Sequence, residues 1–450
     1  MHHSDGETKF DVVIVGAGVS GIIAAQRYLQ VHPGCHLAIL EQDYCLGGRL
    51  YHSFWTQWTH GLAEFSDMPM DRPLEQDCSR DLFKAKYTTE YLEKYVDQVR
   101  YAGRSLRERI QFSIQVQSIE MIESKWRLKC TDSSKSSKVF FATTLMIASG
   151  EASRPNLPDL PGKETFGGVI VHSHVTVIGA GKSAADMAYE AVKAGKAVTW
   201  LIRKNWHRCW AAQTRIMSSL QPSVLNKETW WAWFLHRTNI GIRIVKWIFS
   251  LLDTEVRKRA DNKERKSTKG FEKPEYDTDI FWQNSTGGAV HHDDFWPLVA
   301  ENVWVYRDEV KILTNKELCL KDGSHFPCDA VLCGTVEADE KVTKIFPLLA
   351  NPPVHFHAQI DTTPYRLYHS IAPLADSYFD KNMVLPSLEE QERDIATWIA
   401  WCQRRYLSNG ELGNFAAFDS IPYVDRLLDD IGITAHREGW LRDTFTPFMP

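Results

Sequence analysis

The stretch Asp11-Val12-Val13-Ile14-Val15-Gly16-Ala17-Gly18-Val19-Ser20-Gly21 sets the fold class. Its first five residues form an unbroken run rich in β-branched side chains, the composition of a strand buried on both faces. The run passes directly into a G-x-G-x-x-G turn. Ile22-Ile23-Ala24-Ala25-Gln26-Arg27-Tyr28-Leu29 continues as a helix, which His32-Pro33-Gly34 ends. A second buried strand, His36-Leu37-Ala38-Ile39-Leu40, finishes at Glu41. Each part has a physical role in holding a dinucleotide. Gly16 permits the tight turn, Gly18 lets the backbone approach a pyrophosphate, and Gly21 lets the helix pack close to the strand. The helix N-terminus supplies unpaired N–H groups for phosphate oxygens. Glu41 stands about 20 residues on, where a carboxylate accepts hydrogen bonds from a ribose. Gly47-Gly48-Arg49 follows, and Gly48 and Arg49 are candidates to hold the remainder of a longer cofactor.

The same grammar returns later in the chain. Val175-Thr176-Val177-Ile178 leads into Gly179-Ala180-Gly181-Lys182-Ser183-Ala184, and Met187-Ala188-Tyr189-Glu190-Ala191-Val192-Lys193-Ala194 continues as a helix. Gly195 stands where a helix C-terminal glycine belongs. Gly179, Gly181, Lys182 and Ser183 are the candidate phosphate-binding residues of this turn, and Ala184 replaces the third glycine. The next strand, Ala197-Val198-Thr199-Trp200-Leu201-Ile202, ends in Arg203-Lys204 instead of an acid. Cations at that place suit a 2′-phosphate, so Arg203 marks a site for NADPH. Two such units with opposite strand-end charges imply two different dinucleotides. FAD in the first and NADPH in the second is the natural assignment, because flavin chemistry needs a hydride donor.

Composition sets bounds on the rest. The chain has 450 residues, 44% apolar and 24% charged, with a formal net charge of −5, so no basic field points to nucleic acid. Nine cysteines include no C-x-x-C pair, which excludes a disulfide reductase with a dithiol beside its flavin. Met1 to Lys9 has neither the apolar core of a secretory signal nor an Arg-rich amphipathic pattern. Arg237, Arg243 and Lys246 interrupt the most apolar stretch, Trp230 to Leu252. The expectation is a soluble, cytoplasmic protein.

Phe166-Gly167-Gly168-Val169-Ile170-Val171-His172 matches the F-x-G-x-x-x-H pattern of the flavin-containing monooxygenases, a family that several further segments also resemble. Met146-Ile147-Ala148-Ser149-Gly150 with Arg154-Pro155-Asn156-Leu157-Pro158 is similar to its A-T-G…P-x-x-P crossover. Phe65-Ser66-Asp67-Met68-Pro69-Met70 looks like the F-S-D-x-P segment near the flavin. Ala330-Val331-Leu332-Cys333-Gly334-Thr335 resembles the late strand that returns the chain to the FAD domain. The resemblance runs from Val12 to about Arg442 and is greatest to fungal members. It implies an α/β fold of two Rossmann-like domains, with an NADP-binding domain (166–324) inserted into a discontinuous FAD-binding domain (1–165 and 325–450).

The implied chemistry is reduction of FAD by NADPH, addition of O₂ to give a C4a-hydroperoxyflavin, and transfer of one oxygen atom to a small, lipophilic metabolite at N, S or carbon. The resemblance also places Gln57 where family members carry a catalytic Asn, by its offset from Phe65. A Baeyer–Villiger reaction is the alternative within the enzyme class, although Thr176 stands where that group has Trp. A truncated, non-catalytic homologue that binds a nucleotide or a partner is the alternative outside it. The chain departs from the family by two shortened connections, one after His172 and one at Ser377.

Other segments have structural readings. Ser387-Leu388-Glu389-Glu390 is a capping box opening a helix, with Ile395, Trp398, Ile399, Cys402 and Tyr406 as its apolar stripe. Pro422 to Gly432 reads as another short helix. His291-His292-Asp293-Asp294 contains only metal-ligating types, but adjacent residues point in different directions, so the expectation is a loop and no metal. Ile240, Ile244, Trp247, Ile248 and Leu251 share a helical face within the basic, Trp-rich segment 230–252. That face suits the core or an apolar lid, a peripheral membrane contact, or a homodimer contact.

Overall fold

A computed structural model describes residues 7–47, 54–61, 63–65, 67–79, 82–150, 160–166, 174–204, 210–211, 234–235, 238–265, 270–276, 288–289, 292–334, 387, 389–390, 392–394 and 396–397. Two compact units divide the chain, the first made of Met1–Arg154, Ala338–Trp398 and Asp419–Pro450 and the second of Pro155–Glu337 and Ile399–Phe418.

The first unit is built on a six-stranded sheet. Its strands are β1 (Glu7–Val15), β2 (Leu37–Leu40), β4 (Ile110–Gln111), β5 (Gln115–Ile122), β6 (Lys125–Thr131) and β7 (Ser137–Ile147). The order across the sheet is β4-β2-β1-β7-β6-β5. The strands from β4 to β7 run parallel, and β5 and β6 append an antiparallel meander to β7. Between β1 and β2 lies helix α1 (Val19–Val31). Strand β3 (Trp55–Thr59) and helix α2 (Lys86–Gln98) lie between β2 and β4 in the chain.

The continuous apolar run of β1 has the cause expected of it. Val12 and Ile14 join one core with Ile22, Ile23 and Leu29 of α1 and Leu92 and Tyr95 of α2. Val13 and Val15 join a second core with Ile119, Leu128 and Phe140 of the meander. Alternate side chains of one strand thus enter opposite cores, and neither face is left to water.

The second unit repeats the plan on four parallel strands. These are β8 (His174–Ile178), β9 (Ala197–Ile202), β10 (Val303–Arg307) and β14 (Ala330–Cys333), in the order β10-β9-β8-β14. Helix α3 (Lys182–Lys193) links β8 to β9; α4 (Asn239–Ala260) and α5 (Phe295–Asn302) precede β10. An antiparallel sheet of β11 (Val310–Thr314), β12 (Glu317–Leu320) and β13 (His325–Pro327) lies between β10 and β14 in the chain. One face of the parallel sheet packs on α3 and α5, and the other receives Leu313, Leu318, Leu320 and Phe326.

These contacts correct the expected domain limits of 165 and 325. Leu160 and Phe166 pack into the second unit's core, and the Leu313 N–H donates to Pro161 O at 2.6 Å. Strand β14 pairs with β8 through Val175–Ala330 to Ile178–Cys333, so it completes the second sheet. The strand is nevertheless the last of that sheet, and the first unit resumes at Ala338, a few residues beyond it. Most of 325–450 beyond Gly334, including Ser377 and Pro422 to Gly432, lies outside the described residues.

Helix α4 forms where the apolar spacing places it, capped by the Thr238 hydroxyl, which accepts from the Gly241 N–H at 3.0 Å. Its buried face carries Val245, Asp253 and Ala260, with Phe249 and Val256 against the core. The stripe read from sequence is the opposite face. Ile240, Trp247 and Leu251 are 64%, 61% and 52% exposed, which corrects the core reading for these residues. A helix with apolar residues on two faces gives no sequence signal for which face the core takes. Among the described residues no helix is long and apolar enough to cross a membrane. The Ser387–Glu390 capping box is present, with the Glu390 N–H donating to Ser387 Oγ and the Ser387 N–H to Glu390 Oε2.

Candidate dinucleotide sites

The Val15–Gly16 peptide that opens the β1–α1 turn is held by backbone bonds on both sides. The Gly16 N–H donates to Leu40 O at 2.8 Å, and the Ala148 N–H, just past β7, donates to Val15 O at 2.8 Å. Gly16 has φ +108°, and a Cβ there would lie 2.3 Å from Ala148 O. A Cβ on Gly21 would lie 1.9 Å from Gly16 O. Both positions therefore demand glycine, one for the turn and one for the approach of helix to strand.

Gly18 differs in kind. Its φ is −75° and a Cβ there would meet nothing within 4 Å. The protein itself does not need glycine at 18, so the open space is what a ligand group close to the backbone requires. Gly18 is also the N-cap of α1, and no side chain caps that end. The fit to a pyrophosphate is good, since the first-turn N–H groups and the positive end of the helix dipole converge there.

Glu41 lies at the end of β2, 6% exposed. Its Oε2 accepts from the Ala17 N–H at 2.7 Å and its Oε1 from the Asp43 N–H at 2.9 Å. The carboxylate is thus locked against the middle residue of the turn, and an ionised carboxylate retains capacity for further donors such as ribose hydroxyls. The Gly47 N–H reaches Ala17 O at 3.2 Å, bringing the second glycine loop beside the first. Gly48 and Arg49 lie outside the described residues. Gln57 is on β3, and its side chain is likewise outside them.

The Phe65–Met70 loop is closed by tyrosines from α2. The Tyr91 hydroxyl accepts from the Phe65 N–H at 2.7 Å and donates to Met68 O at 2.8 Å. Tyr95 packs edge-on to Phe65 and donates to Asp67 Oδ2 at 2.9 Å. Burial, followed by the Asp67 carboxylate, pushes the Tyr95 phenol up, so it remains a donor throughout the ordinary pH range. Ser66 is outside the described residues.

The β8–α3 turn reproduces the first almost bond for bond. The Gly179 N–H donates to Leu201 O at 3.0 Å, and the Gly334 N–H, just past β14, donates to Ile178 O at 2.8 Å. Gly179 has φ +125°, and a Cβ there would lie 2.3 Å from Gly334 O. Gly334 therefore takes the place of Ala148, and Ala184 takes the place of Gly21. In the first turn the helix contributes glycine and the crossover alanine; in the second the two are exchanged. A Cβ on Gly334 would lie 2.7 Å from the N, Cα and Cβ of Ala184. Gly334 and Ala148 both fall in segments singled out by resemblance, but their pairing with the turn is a long-range contact that local sequence does not encode.

Gly181 is the N-cap of α3, again with no side-chain cap. Ser183 is exposed in the first turn. Lys182 is paired with Asp186 one turn on, so its amine is drawn along the helix. Burial pushes the Asp186 carboxyl up, against the opposing pull of Lys182. Arg203 is exposed at the end of β9. Lys204 reaches the buried Asp308 at 3.6 Å, leaving Arg203 as the cation of this strand end without an ion pair among the described residues. Trp200, one of the largest fully buried side chains, donates from Nε1 to Gly179 O at 2.7 Å. No sequence motif anticipates that bond.

The His291–Asp294 segment is used structurally where it is described. His292 stacks on Tyr189 with ring centroids 3.7 Å apart, and Asp294 accepts from Tyr189 and Lys193, each at 2.9 Å.

The chain matches the family described as pyridine nucleotide-disulphide oxidoreductase over residues 13–234. It is 26% identical to an FAD-dependent monooxygenase of Pyrenophora dematioidea, over 95% of this chain and 99% of that one. It is 25% identical to an FAD-dependent monooxygenase of Aspergillus nomiae, over 95% and 94%. Among solved structures it is similar to NADP⁺-bound cyclohexanone monooxygenase from Rhodococcus sp. Phi1, with TM-score 0.66, 18% identity, and coverage of 96% of this chain and 100% of that one. It is similar also to S-allyl-L-cysteine S-oxygenase from Allium sativum, with TM-score 0.57, 15% identity, and coverage of 96% and 90%. At those identities the likeness is one of fold. The alignment to the Pyrenophora protein is 558 residues long against 450 here, so more than a hundred of its positions pair with no residue of this chain.

Proposed function

The chain belongs to the flavin-containing monooxygenase family, and from that premise we propose that it binds FAD at the first turn and NADPH at the second and oxygenates a small lipophilic metabolite at nitrogen, sulfur or carbon, as part of secondary metabolism. The observation that carries this reading is the pair of matched turns with opposed strand-end charges. A buried Glu41 is bonded to the first turn, and an exposed Arg203 ends the strand beside the second. The names of the fungal relatives support FAD, and the NADP⁺ bound to the similar cyclohexanone monooxygenase supports the nicotinamide nucleotide.

In this reading Gly16, Gly18 and Gly21 admit the FAD pyrophosphate and Glu41 accepts from its ribose. Gly179, Gly181 and Ser183 receive the pyrophosphate of NADPH, and Arg203 pairs with its 2′-phosphate. Bound flavin supplies hydride acceptance and oxygen activation, and the protein supplies orientation and exclusion of water. Purification tests the proposal. A yellow protein with flavin absorbance and NADPH-dependent O₂ uptake in the presence of lipophilic amines or sulfides is the expected result. A colourless protein that takes up neither FAD nor NADP⁺ overturns it.

A further inference from the structure

We propose that Trp200 is a positioning residue for the second dinucleotide: its indole N–H holds the Gly179 carbonyl and thereby keeps the Gly179–Gly181 turn in the one form that clears the methyl of Ala184. The proposal rests on the reading of this turn as the NADP(H) site.

The first turn supplies the contrast. There the carbonyl oxygen of Gly16 lies only 1.9 Å from the Cβ position of Gly21, so the oxygen occupies the space a third-position methyl would need. The second turn carries that methyl, on Ala184, and so cannot leave its own first carbonyl in the same place. In the second turn the Gly179 carbonyl is instead bonded to Trp200 Nε1 at 2.7 Å, and φ at Gly179 is +125° against +108° at Gly16. The indole is fully buried and packs edge-on to Phe295, with ring centroids 6.2 Å apart and planes at 89°, so it cannot swing away from the bond. In the first turn β2 offers Leu37, Ala38, Ile39 and Leu40, none of which has a side-chain donor, and the third-position glycine makes one unnecessary.

The consequence for binding is indirect. Trp200 is buried in the core beneath the sheet and holds the peptide whose conformation sets the path to Gly181, the cap of α3. Without the indole donor the Gly179 carbonyl is buried and unpaired, and the turn shifts to populations in which the first-turn N–H groups of α3 no longer converge.

The test is direct NADP⁺ binding by titration calorimetry to the full chain, with FAD content and Tm measured alongside. Trp200→Phe keeps an aromatic ring and removes the donor. Amber-suppressed replacement of Trp200 by benzothienylalanine keeps the indole shape and removes only the N–H. Each is expected to raise the Kd for NADP⁺ roughly five- to thirtyfold, the range set by one lost buried hydrogen bond, with FAD content unchanged. Adding Ala184→Gly to either variant makes room for the carbonyl as in the first turn, and is expected to restore most of the affinity. Loss of a core contact alone is not repaired by a glycine in a helix, which is itself destabilising. Wild-type affinity in the benzothienyl variant overturns the proposal, as does weakened binding that Ala184→Gly fails to restore. If the unmodified chain retains FAD but does not bind NADP⁺, the assignment of the second turn fails first, and the role of Trp200 fails with it.

Discussion

Ala184 and Gly334 meet at the point where α3 crosses the end of β14, so closely that a Cβ on Gly334 would lie 2.7 Å from three atoms of Ala184. The equivalent pair in the first unit is Gly21 and Ala148, whose methyl would lie 3.4 Å from a Cβ on Gly21. Gly334→Ala should therefore overpack the second turn, at a cost of about 1–3 kcal/mol. Because N and Cα of residue 184 belong to the backbone, the Ala184→Gly, Gly334→Ala double variant should recover only the part of that loss that the Ala184 methyl causes. Chemical denaturation of the single and double variants measures the coupling; purely additive effects would contradict the contact.

Gly18 and Gly21 separate a ligand requirement from a folding requirement. Gly18→Ala adds a methyl to open space at an ordinary φ, so the apo protein should keep its Tm or gain slightly, by the ~0.4–1 kcal/mol typical of a tolerated Gly→Ala change. Flavin absorbance should nonetheless be lost. Gly21→Ala places its methyl 1.9 Å from Gly16 O and should lower Tm and flavin content together. Retention of flavin by Gly18→Ala would remove the pyrophosphate from this turn.

Arg203 is the exposed cation at the end of β9, while its neighbour Lys204 is engaged with Asp308. Arg203→Ala should raise the Kd for NADPH by roughly tenfold or more, the scale of one charge-assisted phosphate contact. Binding of NADH, which has no 2′-phosphate, should hardly change. Parallel titrations with both nucleotides decide the matter, and equal losses would take Arg203 out of the site.

Asp77 gives the first unit a defined acid sensitivity. It is buried, with Lys84 at 2.7 Å, Lys86 at 2.5 Å and the Tyr87 hydroxyl at 2.9 Å. Lys84 first, then Lys86, hold its carboxyl far below the usual carboxylate range. A depressed folded pKa contributes stability that is fully present above the unfolded value of about 3.9 and is lost as pH falls toward the folded one. Asp77→Asn should lower Tm at neutral pH, and the gap from the unmodified chain should narrow steadily below about pH 4. A gap independent of pH would show that the carboxylate charge is not what holds the lysines.

The elements that position both sites are legible in the sequence because each is short, continuous and strongly patterned. Asp11–Val15 lies within β1, Ala197–Ile202 is β9, and the helix after each turn begins within the glycine motif. Counting from the turn is enough to place Glu41, which is bonded to Ala17. What pattern alone does not supply is pairing between distant segments. β7 joins β1 across more than a hundred residues, and β14 joins β8 across a similar distance, which is why the sequence puts the end of the second unit too early. The outward face of α4 escapes for a related reason, since apolar spacing locates a stripe without saying what covers it. Trp200 reads from sequence only as part of a strand, because a donor aimed at a carbonyl 21 residues away leaves no periodic trace.

The exchange of glycine and alanine between the two crossings has a bearing on how such sites change over generations. Each crossing carries a single methyl, on the strand end in the first unit and on the helix in the second. Exchanging them needs a backbone shift as well, since a methyl on Gly21 would meet Gly16 O and one on Gly334 would meet the backbone of residue 184. Passage from one arrangement to the other through Ala–Ala is closed, so the route runs through Gly–Gly, where one glycine in a helix costs about 1 kcal/mol and the turn can shift before the methyl is regained. Selection consequently acts on the pair, and each residue is neutral or harmful according to its partner. A search that demands glycine at the third position of the turn will pass over chains that have moved the methyl, unless it reads the distant strand end as well.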